Sequence, residues 1–141
     1  CRLFGEVLLS EDCKACALLV YPEKKKTNLR SVMLDLGLIW NCVGIKNVVK
    51  VLKRESAVKR TQVGGFKGYL WFIGVDPVFQ HQGIGTNLLS EVIAFCAQQG
   101  RVMILETSTL KNVPWYGGFG FQTYATLDLG YKLFFMRRLA N

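Results

Sequence analysis

The sequence VDPVFQHQGIGTNLL, residues 75–89, joins an apolar run to a helical pattern through two glycines. Residues 69–75 are almost all apolar, as is typical of a strand covered on both faces. Asp76 stands before Pro77, a position that disfavours helix, so the strand is expected to stop there. From Gly85 a helix is predicted by one apolar stripe, which consists of Leu88, Leu89, Val92, Ile93 and Cys96. The stretch therefore predicts a strand, a glycine turn and a helix.

Such a turn is a candidate anion site for physical reasons. The first turn of a helix leaves about four backbone N–H groups unpaired, and the aligned peptide dipoles place roughly half a positive charge there. Glycines have no Cβ, so a phosphate can approach the main chain closely. The predicted donors are the backbone amides of Gln82, Gly83, Ile84, Gly85, Thr86 and Asn87. On glycine spacing alone, a plain turn is the alternative.

Two other phosphate-binding turns fit the glycines less well. A P-loop requires Lys and then Ser or Thr after its second glycine, whereas Gly85 is followed by Thr86 and Asn87. A dinucleotide-binding turn gains some support from Glu106, which lies at a suitable distance to contact a ribose. However, Leu88 occupies the third glycine position, and only 35 residues follow Glu106. That is too short for the second half of such a fold.

The remaining pattern predicts a mixed sheet with helices against it. Strands are expected at residues 4–9 and 15–21, at 102–106, and in a final hairpin at 122–127 and 131–136. Two amphipathic helices are predicted at 28–43, with Asn28 as the cap, and at 45–52. Residues 110–122 are predicted to form a loop with one helical turn.

Composition limits the classes of protein. Half of the 141 residues are hydrophobic, and the net charge is +8. Residues 24–60 hold ten basic residues against two acidic ones, which we interpret as solvated helix faces; a nucleic-acid surface is the alternative. No apolar run is long enough for a membrane span. We expect a cytoplasmic location, without membrane or nucleic-acid partners.

The cysteines do not predict a metal site. Cys13 and Cys16 are the only close pair among the five cysteines, and His81 is the only histidine. A zinc site needs about four ligands, and no second pair is present. We therefore expect buried thiols.

Two motifs in this order resemble the GNAT N-acetyltransferases. The acyl-coenzyme A binding pattern of that family, Gln/Arg-x-x-Gly-x-Gly/Ala, is matched by Gln80, Gly83 and Gly85. A second family pattern, Asn-x-x-aromatic-Tyr-x-x-x-Gly-Phe, is matched by Asn112, Trp115, Tyr116, Gly120 and Phe121. The basic helices and the LETS stretch at 105–108 are similar to the puromycin N-acetyltransferase-like branch.

The resemblance implies the acyl-CoA N-acyltransferase fold. This is an α/β fold of the α+β kind, with a mixed, mostly antiparallel central sheet flanked by helices. Two parallel central strands splay apart, here 69–75 and 102–106, and the arm of acetyl-coenzyme A would lie between them. The family's first strand and helices, which form much of the acceptor wall, have no counterpart before residue 4. This wall would be absent, supplied by a partner chain, or outside this sequence.

The resemblance also implies a reaction. We expect acetyl transfer from acetyl-coenzyme A to a primary amine of a small molecule or peptide, by direct attack in a ternary complex. A backbone N–H of Ile73, Gly74 or Val75 would serve as the oxyanion donor. Tyr116 is the expected general acid for the leaving thiolate, since the phenol pKa of ~10 is close to that of an alkyl thiol. A purely structural aromatic side chain is the alternative for Tyr116.

For the general base and the remaining cofactor contacts, the sequence leaves alternatives open. The resemblance implies a carboxylate base on the strand before the glycine turn, as in many family members, but residues 69–75 contain no acid. Glu106, at the end of the next strand, is therefore the candidate base, directly or through a water. The alternatives are that Glu106 is a structural carboxylate or that the reaction needs no base. Asn112 is expected to bind the cofactor arm or to cap the following turn. His81 is expected to contact an anion or solvent, and Gln80 to order the loop.

We expect residues 1–141 to form a single, N-terminally short domain and consider a homodimer. Two other functions are carried as alternatives. One is a coenzyme A-binding module of the same fold without turnover. The other is a nucleic-acid-associated protein that acts through the basic segment 24–60.

Overall fold

The structure is a computed structural model that describes residues 4–24, 54–62 and 64–139. The chain forms two compact units, one of segments 1–24 and 64–141 and the other of residues 25–63. The helices predicted at 28–43 and 45–52 lie outside the described residues. In the smaller unit, residues 54–61 belong to helix α1, on which Lys59 and Glu55 form an exposed ion pair of 2.6 Å.

The larger unit is built on a sheet of six strands. These are β1 (Gly5–Leu9), β2 (Ala15–Val20), β3 (Lys67–Val75), β4 (Val102–Thr107), β5 (Gln122–Asp128) and β6 (Lys132–Arg138). Their order in the sheet is β1-β2-β3-β4-β6-β5. Only β3 and β4 are parallel among these neighbours, and the other pairs are antiparallel. The predicted fold class, a mixed and mostly antiparallel sheet with two parallel central strands, is confirmed.

Two helices of this unit flank the site described below, α2 (Ile84–Gln98) and α3 (Asn112–Gly118). The predicted stripe of α2 is buried at Leu88, Leu89, Val92 and Cys96, and it shares one core with sheet residues that include Leu19, Leu70, Met103, Leu105 and Met136. Each fully buried Leu or Val contributes about 1.5–3 kcal/mol. The core therefore fixes α2 against one face of the central strands.

Arg101, which follows α2, ties β3 to the segment after β2. Its side chain is 3% exposed, and its Nη1 donates hydrogen bonds to Glu23 Oε1 at 2.5 Å and to the carbonyl of Lys67 at 3.0 Å. The guanidinium also lies over the rings of Tyr21 and Phe66, at 4.0 and 3.7 Å from their centroids. This contact set anchors the start of β3.

Two predictions about local structure need correction. Residues 112–118 form a helix of seven residues rather than one turn within a loop. Pro114 is tolerated because it stands in the first turn, where its missing N–H would have no helical partner. Residues 69–75 are not covered on both faces, since Trp71 and Phe72 are 61% and 49% exposed.

The cysteine prediction is confirmed at one position and wrong at another. Cys96 is buried, and burial raises the pKa of its thiol to about 11. Cys13 is exposed in the turn between β1 and β2, and Cys16 is half-buried. Across residues 4–24, 54–62 and 64–139, no three metal-binding side chains lie together. No helix in those ranges is long and apolar enough to cross a membrane.

Candidate functional site

The two parallel strands separate along their length. β3 and β4 pair over four positions, the last of which is Leu70 opposite Leu105. β3 then continues to Val75 against β2, whereas β4 continues to Thr107 against β6. Among the described strands, none pairs with the β4-facing edge of β3 beyond Leu70. The predicted gap between the strands is therefore present.

An extra residue in β3 accompanies this gap. β2 pairs Leu19 with Leu70 and Leu18 with Phe72, so Trp71 has no partner in this ladder. Such a β-bulge bends its strand and increases the local twist. Trp71 directly follows the last residue of β3 that pairs with β4, so the bulge lies where the strands part.

The ladder with β2 decides which main-chain groups of β3 face the gap. Asp76 donates its N–H to the carbonyl of Lys14 at 2.8 Å. Because these groups alternate in direction along a strand, the amide of Gly74 also points to β2, and those of Ile73 and Val75 point to the gap. The expected donor among residues 73–75 is therefore Ile73 or Val75. The expectation that the Gly74 amide could be this donor is wrong, because that amide points to β2.

The turn before α2 presents a run of unpaired donors. Gly83 is the N-cap of α2, and no side chain caps the helix. Asn87 donates its N–H to the carbonyl of Gly83 at 3.0 Å and so closes the first helical turn. In the described part of the chain, no acceptor bonds to the N–H groups of residues 81–86. Every predicted amide donor except that of Asn87 is therefore unpaired.

The expectation that the Asn87 amide is a free donor is wrong, because this amide is already bonded within the helix. The Asn87 side chain instead lines a shallow pocket beside the β1–β2 turn, together with residues that include Asp12 and Glu91. These carboxylates make the pocket unsuited to an anion. The run of amides available to an anion therefore ends at Thr86.

The backbone of the turn explains its glycines. His81 and Gly83 both have left-handed φ angles, 63° and 81°, a region that glycine adopts without strain. Gly85 has an ordinary φ, but a Cβ there would stand 3.1 Å from Val75 Cγ2. Gly85 thus allows α2 to begin against the end of β3. The unpaired amides consequently lie at the wide end of the gap.

Two side chains order this turn from within. Gln80 Nε2 donates to the carbonyl of Val75 at 3.2 Å, which confirms its expected role in ordering the loop. Asp76 Oδ1 accepts from the N–H of Val78 at 3.0 Å and caps the 3₁₀ turn Pro77–Phe79. His81 is exposed in the same turn, as expected for a residue that contacts solvent or an anion.

Glu106 lies next to the position where the strands part, one residue beyond Leu105. Tyr69 lies opposite Ile104 in the parallel ladder. Glu106 is two residues beyond Ile104, so the side chains of Tyr69 and Glu106 lie on the same face of the sheet. The Tyr69 phenol donates a hydrogen bond to the Glu106 carboxylate; burial and this negative charge raise the phenol pKa. Lys67 lies on the same face, and burial lowers its pKa, although the charges of Glu23 and Glu106 act in the opposite direction.

Tyr69 is a site residue that sequence reasoning missed. Its approach to Glu106 depends on the parallel register of two strands, which the sequence pattern does not specify. The only signal in the sequence was a polar hydroxyl in an otherwise apolar run.

Tyr116 has a buried ring and an accessible hydroxyl. The ring packs against those of Trp115 and Phe121, at centroid distances of 4.8 and 5.8 Å. Among the described residues, every buried side-chain oxygen or nitrogen has a hydrogen-bond partner. The Tyr116 hydroxyl has no hydrogen bond to a described residue, so it is not one of these buried atoms. The hydroxyl therefore reaches accessible surface. Burial raises the phenol pKa, so Tyr116 is protonated at neutral pH, as a general acid must be.

Asn112 opens α3. Its N–H bonds to the carbonyl of Thr109 at 3.0 Å, and no side-chain hydrogen bond caps the helix among the described residues. The capping alternative for Asn112 is therefore not supported, and its side chain remains a candidate for ligand binding.

These features define a class of site. A turn of unpaired amides can hold a diphosphate, and the free edge of β3 can pair with an extended arm that contains amide groups. A carboxylate and a phenol supply groups for proton transfer. The residues present fit a long phosphorylated ligand whose reactive end enters the gap, as in acyl transfer.

The sequence profile of the acetyltransferase (GNAT) family matches residues 42–121, more than half of the chain. The chain therefore belongs to the GNAT acetyltransferase family. Comparison with curated proteins finds no match.

Two solved structures share the fold at low sequence identity. Arylalkylamine N-acetyltransferase 2 from Aedes aegypti is 18% identical over 96% of this chain and 72% of that chain, with a TM-score of 0.62. The histone acetyltransferase HPA2 and related acetyltransferase from Corynebacterium glutamicum is 14% identical over 99% and 67%, also with a TM-score of 0.62.

A third structure is more similar in sequence but overlaps less. This GNAT-family acetyltransferase from Desulfovibrio desulfuricans is 28% identical, with a TM-score of 0.49. The match covers 57% of each chain, so this chain spans little more than half the length of that protein.

Proposed function

We propose that this protein is an N-acetyltransferase that transfers an acetyl group from acetyl-coenzyme A to a primary amine by direct attack in a ternary complex. The observation that carries this proposal is the separation of β3 from β4 directly beside a turn of unpaired amides. The LETS stretch and the basic segment 24–60 further favour a relationship to the puromycin N-acetyltransferase-like branch.

The chain's own groups would hold the cofactor along its length. The amides of residues 82–86 would bind the pyrophosphate, because they are unpaired and stand at the positive end of the α2 dipole. The amides of Ile73 and Val75 would pair with the pantetheine arm or with the carbonyl oxygen. Asn112 would hydrogen-bond the arm from the opposite side of the gap.

When bound, the thioester supplies the acetyl group, whose carbonyl carbon the amine nitrogen attacks. One β3 amide, Ile73 or Val75, would stabilise the negative charge that develops on the carbonyl oxygen. Glu106 would accept the proton that the amine loses, directly or through a water. Tyr116 would donate a proton to the departing sulfur, since its phenol is protonated and its hydroxyl is accessible. Both residues would then exchange protons with solvent.

One other function is favoured by a specific observation. β3 carries no carboxylate from Tyr69 to Val75, and the Glu106 carboxylate is already bonded to Tyr69. A coenzyme A-binding module without turnover would have the same turn and gap but would need neither Glu106 nor Tyr116.

Two measurements test the proposal. Calorimetry with coenzyme A reports cofactor binding, and free thiol release from acetyl-coenzyme A with a panel of primary amines reports turnover. Binding together with amine-dependent thiol release supports the acetyltransferase. Binding without thiol release from any amine supports the module without turnover. Absence of binding, together with strongly salt-dependent binding of DNA or RNA, would overturn the proposal in favour of a nucleic-acid-associated protein.

A further inference from the structure

The face of the sheet opposite α2 carries aromatic rings at the gap. In β2, the core residue Leu19 alternates with Leu18 and Val20, which lie on the other face. Phe72 pairs opposite Leu18 and Tyr69 opposite Val20, so both rings belong to the face away from α2. Glu106 lies on that face too, since it shares it with Tyr69.

Phe72 on this face and its neighbour Trp71, the residue at the bulge, are open to solvent. Trp71 and Phe72 are 61% and 49% exposed, although they occupy the centre of a six-stranded sheet. The Phe72 ring lies close over Gly74, where a Cβ would stand 2.7 Å from Phe72 Cζ. The ring is therefore held along the part of β3 that has no partner on the β4 side.

Position and charge together indicate the occupant. The α2 face is filled by the core, so an amine must reach the gap from the face of Phe72 and Glu106. Exposed aromatic faces bind apolar groups and attract cations, and a carboxylate on the same face complements an ammonium. A small hydrophilic amine would use the carboxylate but leave the rings in water.

We infer that the acceptor is a primary amine that carries an aromatic or similarly large apolar group. This group packs on Trp71 and Phe72, and its ammonium is directed to Glu106. The inference rests on the proposed acetyl transfer, whose acceptor it specifies.

The test compares two amines of similar basicity, 2-phenylethylamine and 2-methoxyethylamine. Burial of a large apolar group raises affinity by about tenfold to a hundredfold. We therefore expect kcat/KM to be at least about tenfold higher for 2-phenylethylamine. The wild-type comparison needs no substitution, so it does not depend on the folding of a variant.

Substitutions then locate the preference. Trp71→Ala and Phe72→Ala are expected to reduce the ratio of the two kcat/KM values to about twofold or less, through the KM for 2-phenylethylamine, while the affinity for coenzyme A is retained. Leu139→Ala is the control, since Leu139 is 59% exposed and follows β6 at the end beside the start of β4, away from the gap. It should leave the ratio unchanged.

Each failure has a separate meaning. Equal kcat/KM for the two amines, or a preference that survives both substitutions, overturns the inference and leaves the acetyltransferase in place. If coenzyme A binds and neither amine is acetylated, the inference is also overturned, and thiol release with the wider panel of amines then decides between the acetyltransferase and the module without turnover. A wild-type dimer that dissociates in Trp71→Ala or Phe72→Ala would also overturn the inference, since a second copy of the chain would then cover the rings in place of the amine. Loss of coenzyme A binding in the wild-type protein overturns the proposed function itself.

Discussion

Gly85 and Val75 are in close contact: a Cβ at position 85 would stand 3.1 Å from Val75 Cγ2. This contact joins the first turn of α2 to the last residue of β3. It places the unpaired amides beside the gap, so the distance between turn and strand depends on the absence of one side chain.

Gly85→Ala is therefore expected to weaken coenzyme A binding by about tenfold. The added methyl group would crowd Val75 and push the start of α2 away from β3, at a cost to binding of about 1 kcal/mol or more. Titration calorimetry measures this change. Gly117→Ala is the matched control, since a Cβ at that helical position meets no atom within 4 Å. Equal affinities in the two variants would contradict the role given to this contact.

Tyr116→Phe is expected to lower kcat by about 10²–10⁴-fold and to leave coenzyme A affinity nearly unchanged, because the ring keeps its packing and only the proton donor is lost. Burial raises the phenol pKa, so the wild-type acid stays protonated as the pH rises through 10. The midpoint of the alkaline decline in kcat should accordingly lie above that pH. Thiol release measured from pH 6 to pH 11 tests both statements; an unaltered rate would reduce Tyr116 to a structural residue.

Glu106→Gln is expected to lower kcat by about 10²–10⁴-fold, since an amide cannot accept the amine proton, and to leave only the ionisation of the amine substrate in the acid limb of kcat/KM. Tyr69→Phe should move that limb to higher pH, because the carboxylate loses a hydrogen bond that favours its ionised form. A full pH profile of thiol release for both variants separates this role from a structural one. If Glu106→Gln keeps the wild-type profile, the reaction proceeds without this base.

Glu23→Gln is expected to lower the free energy of unfolding by about 1–2 kcal/mol at pH 7, because the buried Arg101 guanidinium loses a charged acceptor. Burial works to raise the pKa of Glu23, but the hydrogen bond and charge of Arg101 prevail and hold it below 4.5. The stabilisation is thus present above the ordinary value of 4.5 and is lost as the pH falls below it.

Denaturant unfolding at pH 7 and pH 3 should therefore show a difference between wild type and Glu23→Gln that shrinks in acid. Glu91→Gln is the control on the exposed side of α2, with a change within about 0.5 kcal/mol. A difference that does not depend on pH would indicate lost packing rather than a lost ion pair.

Local patterns predicted most of the larger unit. The stripe from Leu88 to Cys96 predicted α2, and the Asp76–Pro77 pair predicted the end of β3, since each depends on neighbours in sequence. The short helix around Pro114 was underestimated because proline disfavours helices in general but not in their first turn.

The site was only partly predictable for a different reason. The free amides of the turn follow from a glycine N-cap, which is local. The bulge at Trp71, the direction of the Gly74 amide and the Tyr69–Glu106 contact depend on how distant strands align. Register is set by packing across the whole sheet, so no window of sequence around these residues contains it.

The bulge at Trp71 means that the opening in the sheet is encoded by a length mismatch between two strands. Replacing the indole with any other side chain keeps the surplus position, so chemistry at the mouth can vary while the opening persists. Removing the position altogether would equalise the strands and let β3 continue its pairing with β4 beyond Leu70, which would close the sheet.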